Sequence, residues 1–266
     1  MITPFLKWPG GKGWLYKQHP ELFDGDYSNY FEPFLGSGAV FFSKKPAFSH
    51  LNDSNKELIE TYRAIRDNHE GILDLLERHQ KKHSKEYYYN IRSSRPTKRI
   101  EIAARMIYLN RTCWNGLYRV NLEGQFNVPI GTKTNVLMRA EDFPIISEYL
   151  KNTKLTSIDF SHSIRNAKEG DLIFADPPYF DSSSADKFKK YSSLPFTFND
   201  HKRLARSLFR ASERGAKVIM THSQSDDVLG LYENKSRILY TDRRDTLSAK
   251  SEYRGRYREV VIVIGI

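Results

Sequence analysis

An apolar run at residues 172–175 leads directly into an acid, two prolines and an aromatic ring. This D-P-P-Y segment consists of Asp176, Pro177, Pro178 and Tyr179. A carboxylate, rigid backbone carbonyls and a ring that converge on one point can bind a flat, polar, nitrogen-bearing group. The alternative is a structural strand that ends in a Pro-Pro turn.

The large, β-favouring side chains before this segment predict a strand at 171–176 that is buried on both faces. Proline cannot continue a hydrogen-bonded ladder, and Pro177 also biases Asp176 towards an extended backbone. The strand should therefore end at Asp176, with Tyr179 just beyond it. Because ligands of open α/β sheets bind outside the carboxyl ends of the strands, we expect a pocket here.

A second candidate ligand-binding element lies at residues 30–42, where a strand runs into a turn with Gly36 and Gly38 and then into an apolar helix start. Neither glycine has a Cβ, so the backbone can approach a ligand closely. The spacing differs from the dinucleotide-binding fingerprint, because the third residue after Gly38 is Phe41.

Asp53 follows another predicted strand, at 47–51. An acid at the end of the second strand of such a unit binds the ribose hydroxyls of an adenosine ligand. The alternative is a helix cap, because apolar residues at helical spacing follow. The two roles are compatible, and we favour the ligand role.

Near the amino terminus, Trp8 and Lys12 flank a glycine-rich turn. A P-loop is rejected, because that motif requires a glycine at the position of Leu6 and Ser or Thr at the position of Gly13. What remains is a turn with an indole and an ammonium group, suited to a planar ligand that carries a carboxylate. An ordinary surface turn is the alternative.

The charge balance favours a polyanionic partner. The 266 residues include 42 Lys and Arg against 32 Asp and Glu, a formal net charge of +10. Nucleic acid is the first expectation and an anionic membrane surface the second. Basic residues are concentrated at 78–105 and 235–258. The first run is either a solvated helical face or a surface that follows phosphates.

Cys113 is the only cysteine, which excludes an intramolecular disulfide and a cysteine-based zinc site. No window approaches the ~20 apolar residues that a membrane helix needs. The amino terminus lacks the basic and apolar regions of a secretion signal. We therefore expect a cytoplasmic protein.

Residues 57–110 have a mainly helical and polar pattern, and the segment 109–129 follows them. This segment combines Asn, Arg and Gln, side chains that read bases, with a wedge-like aromatic residue. Gly116 and Gly124 predict a β-hairpin or a loop with a turn. Later patterns predict strands at 154–158, 216–220 and 260–264, a helix around 204–211 and a loop at 181–195.

Taken in order, these motifs resemble the Dam-type N6-adenine DNA methyltransferases (D12 class, α group). The resemblance rests on F-L-K-W-P-G-G-K at 5–12, E-P-F-L-G-S-G at 32–38, the segment from Asn115 to Pro129 and the D-P-P-Y segment. It extends over nearly the whole chain.

The resemblance implies an α/β fold: a Rossmann-like sheet of the S-adenosylmethionine-dependent methyltransferases, with an inserted, mainly helical target-recognition domain that carries a β-hairpin. The catalytic domain would comprise residues 1–56 and 145–266, and the DNA target-recognition domain residues 57–144. It also implies S-adenosyl-L-methionine as the methyl donor and double-stranded DNA as the substrate, with no metal and no membrane. We expect a monomer.

Site residues follow from the same resemblance. The cofactor-binding positions are Trp8, Lys12, Phe34, Gly36, Gly38, Asp53 and Asp176. The catalytic positions are Asp176, Pro177, Pro178 and Tyr179. The DNA-binding positions are Lys7, Trp114, Asn115, Leu117, Arg119, Asn127 and Pro129. Trp114 stands where the family usually carries Tyr, which preserves an intercalating role. Lys7 and Arg119 retain base-reading types that are associated with GATC.

The expected reaction is methyl transfer to the N6 amino group of an adenine flipped out of duplex DNA, which has no need of Cys113 as a nucleophile. Three alternatives stay open. One is methylation of RNA or of a protein amide, because a D-P-P-Y segment also occurs in such enzymes. Another is a catalytically silent DNA-binding module. A nucleotide hydrolase is disfavoured by the absence of a P-loop.

Overall fold

The secondary structure alternates between strands and helices in a computed structural model that describes residues 2–137, 142–180, 196–244 and 256–265. The strands are β1 (Asn29–Glu32), β2 (Ser49–Asn52), β3 (Thr153–Thr156), β4 (Asp171–Ala175), β5 (Lys217–Ser223), β6 (Arg237–Arg244) and β7 (Arg256–Ile264). The helices are α1 (Gly13–Gln18), α2 (Ala39–Lys44), α3 (Lys56–Lys82), α4 (Lys85–Ser93), α5 (Arg99–Thr112), α6 (Asp142–Leu150), α7 (Phe160–Ser163), α8 (Phe198–Glu213) and α9 (Asp226–Leu229). Short 3-10 helices occur at Pro20–Phe23 and Trp114–Gly116.

The strands form one sheet in the order β3-β2-β1-β4-β5-β7-β6. Strands β1 to β5 run parallel, whereas β7 pairs antiparallel with both β5 and β6. The strand order changes direction between β1 and β4, and in such sheets a crevice opens there at the carboxyl ends of the strands. The predicted α/β fold is confirmed.

β4 is buried on both faces, as its apolar run predicts. Leu172 and Phe174 pack into the apolar layer that includes α2 and α3. Ile173 and Ala175 pack into the opposite layer, which includes α8. Because side chains alternate across a strand, a strand covered on both sides needs an unbroken apolar run. This burial fixes the position of Asp176 at the edge of the sheet.

The chain between β2 and β3 is mainly helical and contains α3, α4, α5 and α6. The Asn55 side chain caps α3 by accepting a 3.1 Å hydrogen bond from the Leu58 amide. Asp53 is therefore not the helix cap, although its Oδ1 accepts a 2.9 Å hydrogen bond from the Asn55 amide. The carboxylate stabilises the turn that leads into the helix.

The sequence predicts a β-hairpin or a loop with a turn in this region, and the structure has a loop whose two sides make antiparallel contacts. The described loop is closed by two isolated antiparallel bridges, between Cys113 and Ile130 and between Val120 and Phe126. At its tip, Oδ1 of Asn121 accepts hydrogen bonds from backbone amides that a regular hairpin ladder would use. The 113–130 loop, as we call this segment, is consequently irregular.

Two further sequence predictions need comment. β6 was not predicted as a strand, because the stretch 235–258 was interpreted only as a basic surface. The predicted loop at 181–195 lies outside the described residues, as does the part of that basic surface at 245–255.

Candidate active site

A cavity of about 330 Å³ lies at the carboxyl ends of β1, β2 and β4. It brings together residues from three of the four motifs that carry the resemblance: the amino-terminal turn, the segment 32–38 and the D-P-P-Y segment. The predicted site residues that line it are Trp8, Lys12, Phe34, Gly36, Asp53, Asp176, Pro177, Pro178 and Tyr179. The crevice at the change in strand order is thus lined by the predicted residues.

Lys12 connects the amino-terminal turn with the sheet. Its ammonium group lies 3.1 Å from Oδ2 of Asp176 and 3.8 Å from Oε2 of Glu259, and it donates a 2.6 Å hydrogen bond to the Gly10 carbonyl. Its side chain is almost completely buried. A buried ammonium is costly unless paired, so these two carboxylates stabilise it where it stands.

The carboxylate of Asp176 is held from two sides. Lys12 contacts Oδ2, and the Thr221 hydroxyl donates a 2.7 Å hydrogen bond to Oδ1. Each carboxylate oxygen has a second lone pair, so Asp176 can still accept a hydrogen bond from a ligand in the cavity. The group is oriented before any ligand arrives.

Tyr179 places its ring beside this carboxylate. The Lys12 ammonium lies 4.9 Å from the ring centroid, and the His222 ring lies 4.8 Å away on centroids. Tyr179 remains 37% exposed at the mouth of the cavity. A partly exposed ring that is held by neighbours provides a stacking surface for a planar group.

Gly36 forms the tight turn that follows β1. Its φ of +50° lies in the left-handed region, and a Cβ at this position would lie 2.9 Å from Cδ1 of Trp8. Its amide donates a 2.9 Å hydrogen bond to Oδ2 of Asp53. Burial raises the pKa of Asp53, whereas the hydrogen bonds that it accepts from the Asn55 and Gly36 backbone amides lower it. A side chain at residue 36 would push the indole out of the cavity wall.

A second, larger cavity of about 690 Å³ shares Phe34, Ser54 and Pro178 with the first. Phe34, Phe160 and Phe196 form an aromatic cluster with centroid separations of 5.5 to 5.6 Å. Val120 and Gly124 of the 113–130 loop line the opposite side. The two cavities are therefore adjacent, and the second extends from the sheet edge to that loop.

Trp114 lies at the start of the 113–130 loop and is 48% exposed. Its amide donates a 2.9 Å hydrogen bond to the Pro129 carbonyl, which brings these two predicted DNA-binding residues together. Asn115 follows with a φ of +54° and is exposed. A large ring on an ordered but exposed turn can insert into a stack of bases.

Lys7 belongs to the same surface. Its backbone exchanges two 2.8 Å hydrogen bonds with the Asn110 side chain, which also donates to the Gly116 carbonyl at 3.1 Å. The pKa of Lys7 is lowered, and the largest cause is a side-chain hydrogen bond with Lys133. Burial and charge repulsion from Lys133 lower it further. Two neighbouring cations produce a positive potential beside Trp114.

Arg119, Asn127 and Leu117 complete the predicted DNA-binding set. Arg119 Nε donates a 2.7 Å hydrogen bond to Oδ1 of Asn127. In return, the backbone amide of Asn127 donates a 3.1 Å hydrogen bond to the Arg119 carbonyl. The Leu117 side chain is half-buried, and its carbonyl accepts a 3.2 Å hydrogen bond from the Cys113 thiol. Hydrogen bonds within the loop thus hold these polar groups in place.

A match to a protein-family model shows which family the chain belongs to. The model described as "D12 class N6 adenine-specific DNA methyltransferase" matches residues 8–247. The chain belongs to this family.

Curated relatives agree with the family match. The type II methyltransferase M1.LlaDCHI of Lactococcus lactis subsp. cremoris is 38% identical, covering 98% of this chain and 95% of that protein. The type II methyltransferase M.MjaIII of Methanocaldococcus jannaschii is 32% identical, covering 87% and 88%. A DNA adenine methylase of Haemophilus influenzae is 25% identical, covering 98% and 93%.

Gly38 is the one predicted cofactor-binding residue that this methyltransferase places outside the cavity lining. It begins α2 with a φ of +64°, and a Cβ there would lie 3.1 Å from the Tyr62 hydroxyl oxygen and 3.3 Å from Leu35 and Phe42. A side chain at residue 38 would crowd these neighbours, so packing explains why this residue is a glycine.

Sequence reasoning assigned no role to Glu32, which lines the cavity at the end of β1. Its carboxyl accepts a 2.7 Å hydrogen bond from the Tyr30 hydroxyl. Burial raises its pKa well above the usual range, and the charges of Asp176 and Asp53 act in the same direction. The missed signal was an acid at the end of a buried strand, the same signal that identified Asp53 and Asp176.

Thr221, His222 and Glu259 were also missed. They reach the site from β5 and β7, which were predicted as apolar strands without functional residues. Glu259 is buried, and its Oε2 lies 3.8 Å from the Lys12 ammonium.

Burial raises the pKa of the Cys113 thiol to about 11, so it stays protonated at neutral pH. Within the residues that the structure describes, no three His, Cys, Asp or Glu side chains cluster as metal ligands, and no helix could span a membrane.

Proposed function

We propose that this methyltransferase takes its methyl group from S-adenosyl-L-methionine and transfers it to N6 of an adenine flipped out of duplex DNA, within the sequence GATC. The observation that carries the proposal is the held carboxylate of Asp176, which stands beside the exposed Tyr179 ring at the mouth of the cavity. The carboxylate can accept a hydrogen bond from the amino group of adenine, and the Tyr179 ring can stack on the flat purine ring.

The cavity residues fit the methyl donor. The half-buried Asp53 carboxylate, with a free lone pair on each oxygen, suits the ribose hydroxyls, and the turn at Gly36 leaves room that a Cβ would fill. Trp8 and Lys12 form the opposite wall, and Phe34 lies where the two cavities meet. When bound there, S-adenosyl-L-methionine supplies an electrophilic methyl group on a sulfonium centre.

The protein's task is to make N6 of adenine nucleophilic. Its lone pair is delocalised into the purine ring. The Asp176 carboxylate and the Pro177 carbonyl would accept the two amino hydrogens, which draws the nitrogen towards a tetrahedral geometry and localises that lone pair. Tyr179 would stack on the base, which contributes about 1–3 kcal/mol. Once N6 is alkylated its extra proton is acidic, so Asp176 need not be a strong base.

We assign DNA recognition to residues 57–144, with catalysis by residues 1–56 and 145–266. Trp114 would fill or wedge the stack that the flipped adenine vacates, at an unstacking cost of a few kcal/mol. The exposed indole and the neighbouring cations support this assignment. The remaining contacts to bases and backbone would come from Lys7, Asn115, Leu117, Arg119, Asn127 and Pro129.

Methylation-sensitive sequencing of DNA from cells that lack other adenine methylation and express the protein tests the proposal. We expect N6-methyladenine at GATC sites. Methylation at a different sequence would overturn the GATC assignment alone, whereas unmethylated DNA with an expressed, folded protein would overturn the proposed reaction.

A further inference from the structure

His222 is a buried histidine at the end of β5 whose ring supports the D-P-P-Y segment. Its Nε2 lies 3.0 Å from the Phe180 amide nitrogen, and its ring centroid lies 4.8 Å from that of Tyr179. Sequence reasoning gave this residue no role. Its contacts are made to the segment that the proposed reaction uses.

The strand register explains why His222 reaches that segment. Ala175, the last residue of β4, pairs with Met220 of β5. β5 continues through Ser223, so its last three residues extend past the point where the D-P-P-Y segment leaves the sheet. Thr221 contacts Asp176 at the beginning of the segment, and His222 contacts its end.

The hydrogen bonds define the protonation of the His222 ring. A backbone amide can only donate, so Nε2 accepts from Phe180 and carries no proton. The proton of the neutral ring is then on Nδ1, which donates a 2.8 Å hydrogen bond to the Ser223 carbonyl. A charged ring would have protons on both nitrogens and would lose the bond to Phe180.

The surroundings keep the ring neutral. Burial is the main cause that lowers the pKa of His222, and the Lys12 charge acts in the same direction, whereas the Ser223 carbonyl and Glu259 raise it; the net pKa is about 4. His201 packs edge-on at 4.9 Å, and burial lowers its pKa to about 4 as well. The acceptor on Nε2 is therefore available throughout the neutral pH range.

We propose that His222 is a positioning residue for methyl transfer: it accepts the Phe180 amide and packs on Tyr179, and so holds the Tyr179 ring and the Pro177 carbonyl in place for the target base. This inference rests on the proposed function. His222 acts through the D-P-P-Y segment, without touching donor or base.

Two substitutions separate the hydrogen bond from the ring contact. His222→Phe keeps a ring against Tyr179 and removes the acceptor, whereas Oε1 of Gln in His222→Gln can still accept from Phe180. The readouts are the single-turnover rate at saturating donor and DNA, and the dissociation constant for S-adenosyl-L-methionine. Because small misplacements of reacting groups can cost about 100-fold in rate, we expect a loss of that order in His222→Phe. We expect a loss of only about tenfold in His222→Gln, and dissociation constants within about threefold in both.

Equal losses in both variants together with loss of donor binding would mean that His222 is merely structural, and wild-type rates in His222→Phe would also overturn the proposal. A measurement on the unaltered protein covers the case in which neither variant folds. ¹⁵N NMR of labelled histidine, with the His222 signal assigned by its coupling to Ser223, should show the Nδ1–H tautomer near neutral pH. The Nε2–H tautomer would overturn the proposal. This result does not depend on methyl transfer, so it separates failure of the inference from failure of the proposed function.

Discussion

The Thr221 hydroxyl donates a 2.7 Å hydrogen bond to Oδ1 of Asp176, which joins the end of β5 to the acid that closes β4. Thr221 lies within β5 and Asp176 directly follows β4, and the apolar side chains of both strands are buried in the two layers of the fold. The orientation of the Asp176 carboxylate is thus set by the sheet itself. We regard this contact as a preorganising interaction.

We predict that Thr221→Val slows methyl transfer. The substitution keeps the shape of the side chain and removes the donor to Asp176, and losing one buried hydrogen bond costs about 1 kcal/mol, or roughly fivefold to tenfold if it is expressed only in the transition state. The single-turnover rate should fall by that factor while donor affinity is retained. Thr221→Ser restores a hydroxyl and serves as the control. Equal rates in the Val variant and the wild type would contradict this role.

The raised pKa of Glu32 predicts a pH-dependent stability. Its folded pKa lies well above its usual value of 4.5, mainly because of burial, so the folded state binds a proton that the unfolded state has already released. The free energy of unfolding should therefore fall as pH rises from about 4.5 towards the folded pKa, by at most about 1.4 kcal/mol per pH unit for one group.

Urea denaturation at several pH values compares the wild type with Glu32→Gln, which resembles the protonated acid. The variant should lose this part of the pH dependence, and the two curves should diverge as pH rises. Parallel curves would mean that Glu32 is ionised in the folded protein.

We predict that Trp114→Ala weakens base flipping. The exposed indole would no longer fill the vacated stack, so the flipped state should lose about 1–3 kcal/mol of stabilisation. Fluorescence of 2-aminopurine placed at the target position reports unstacking, and it should rise less on binding than with the wild type. Trp114→Tyr retains an aromatic ring and should keep most of the signal. An unchanged rise in the Ala variant would count against the wedge role.

We predict that Asp176→Ala abolishes methyl transfer while DNA binding largely survives. Loss of one preorganised electrostatic contact can reduce a rate by about 100- to 1000-fold, and Asp176 would make several contacts at once. Asp74→Ala removes a carboxylate from an exposed position on α3 and provides a matched control. Single-turnover assays and DNA-binding titrations should separate the two effects. Turnover of the Asp176 variant at the wild-type rate would be incompatible with the proposed chemistry.

The sequence predicted the part of the site that is contiguous along the chain. Asp176 stands at the end of its strand because an apolar run and two prolines are both local signals. Asp53 and the turn at Gly36 were found in the same way. Trp8 and Lys12 were recognised as a pair, and the structure places both against the cavity.

The missed residues depend on strand order, which no local pattern encodes. Glu259 reaches Lys12 only because β7 inserts antiparallel between β5 and β6. The predicted strand at 216–220 ended before Thr221 and His222, because polar residues interrupt an apolar pattern even where they are fully buried. Their burial is explained by partners that the sequence alone does not reveal.

The most direct test of the central claim is to identify the methylated product. Purified protein is incubated with duplex DNA and S-adenosyl-L-methionine that carries a labelled methyl group, and the DNA is digested to nucleosides for mass spectrometry. We predict label in N6-methyl-2′-deoxyadenosine, and none with Asp176→Ala. Label in a methylated cytosine, or in RNA or protein offered under the same conditions while the DNA stays unlabelled, would contradict it.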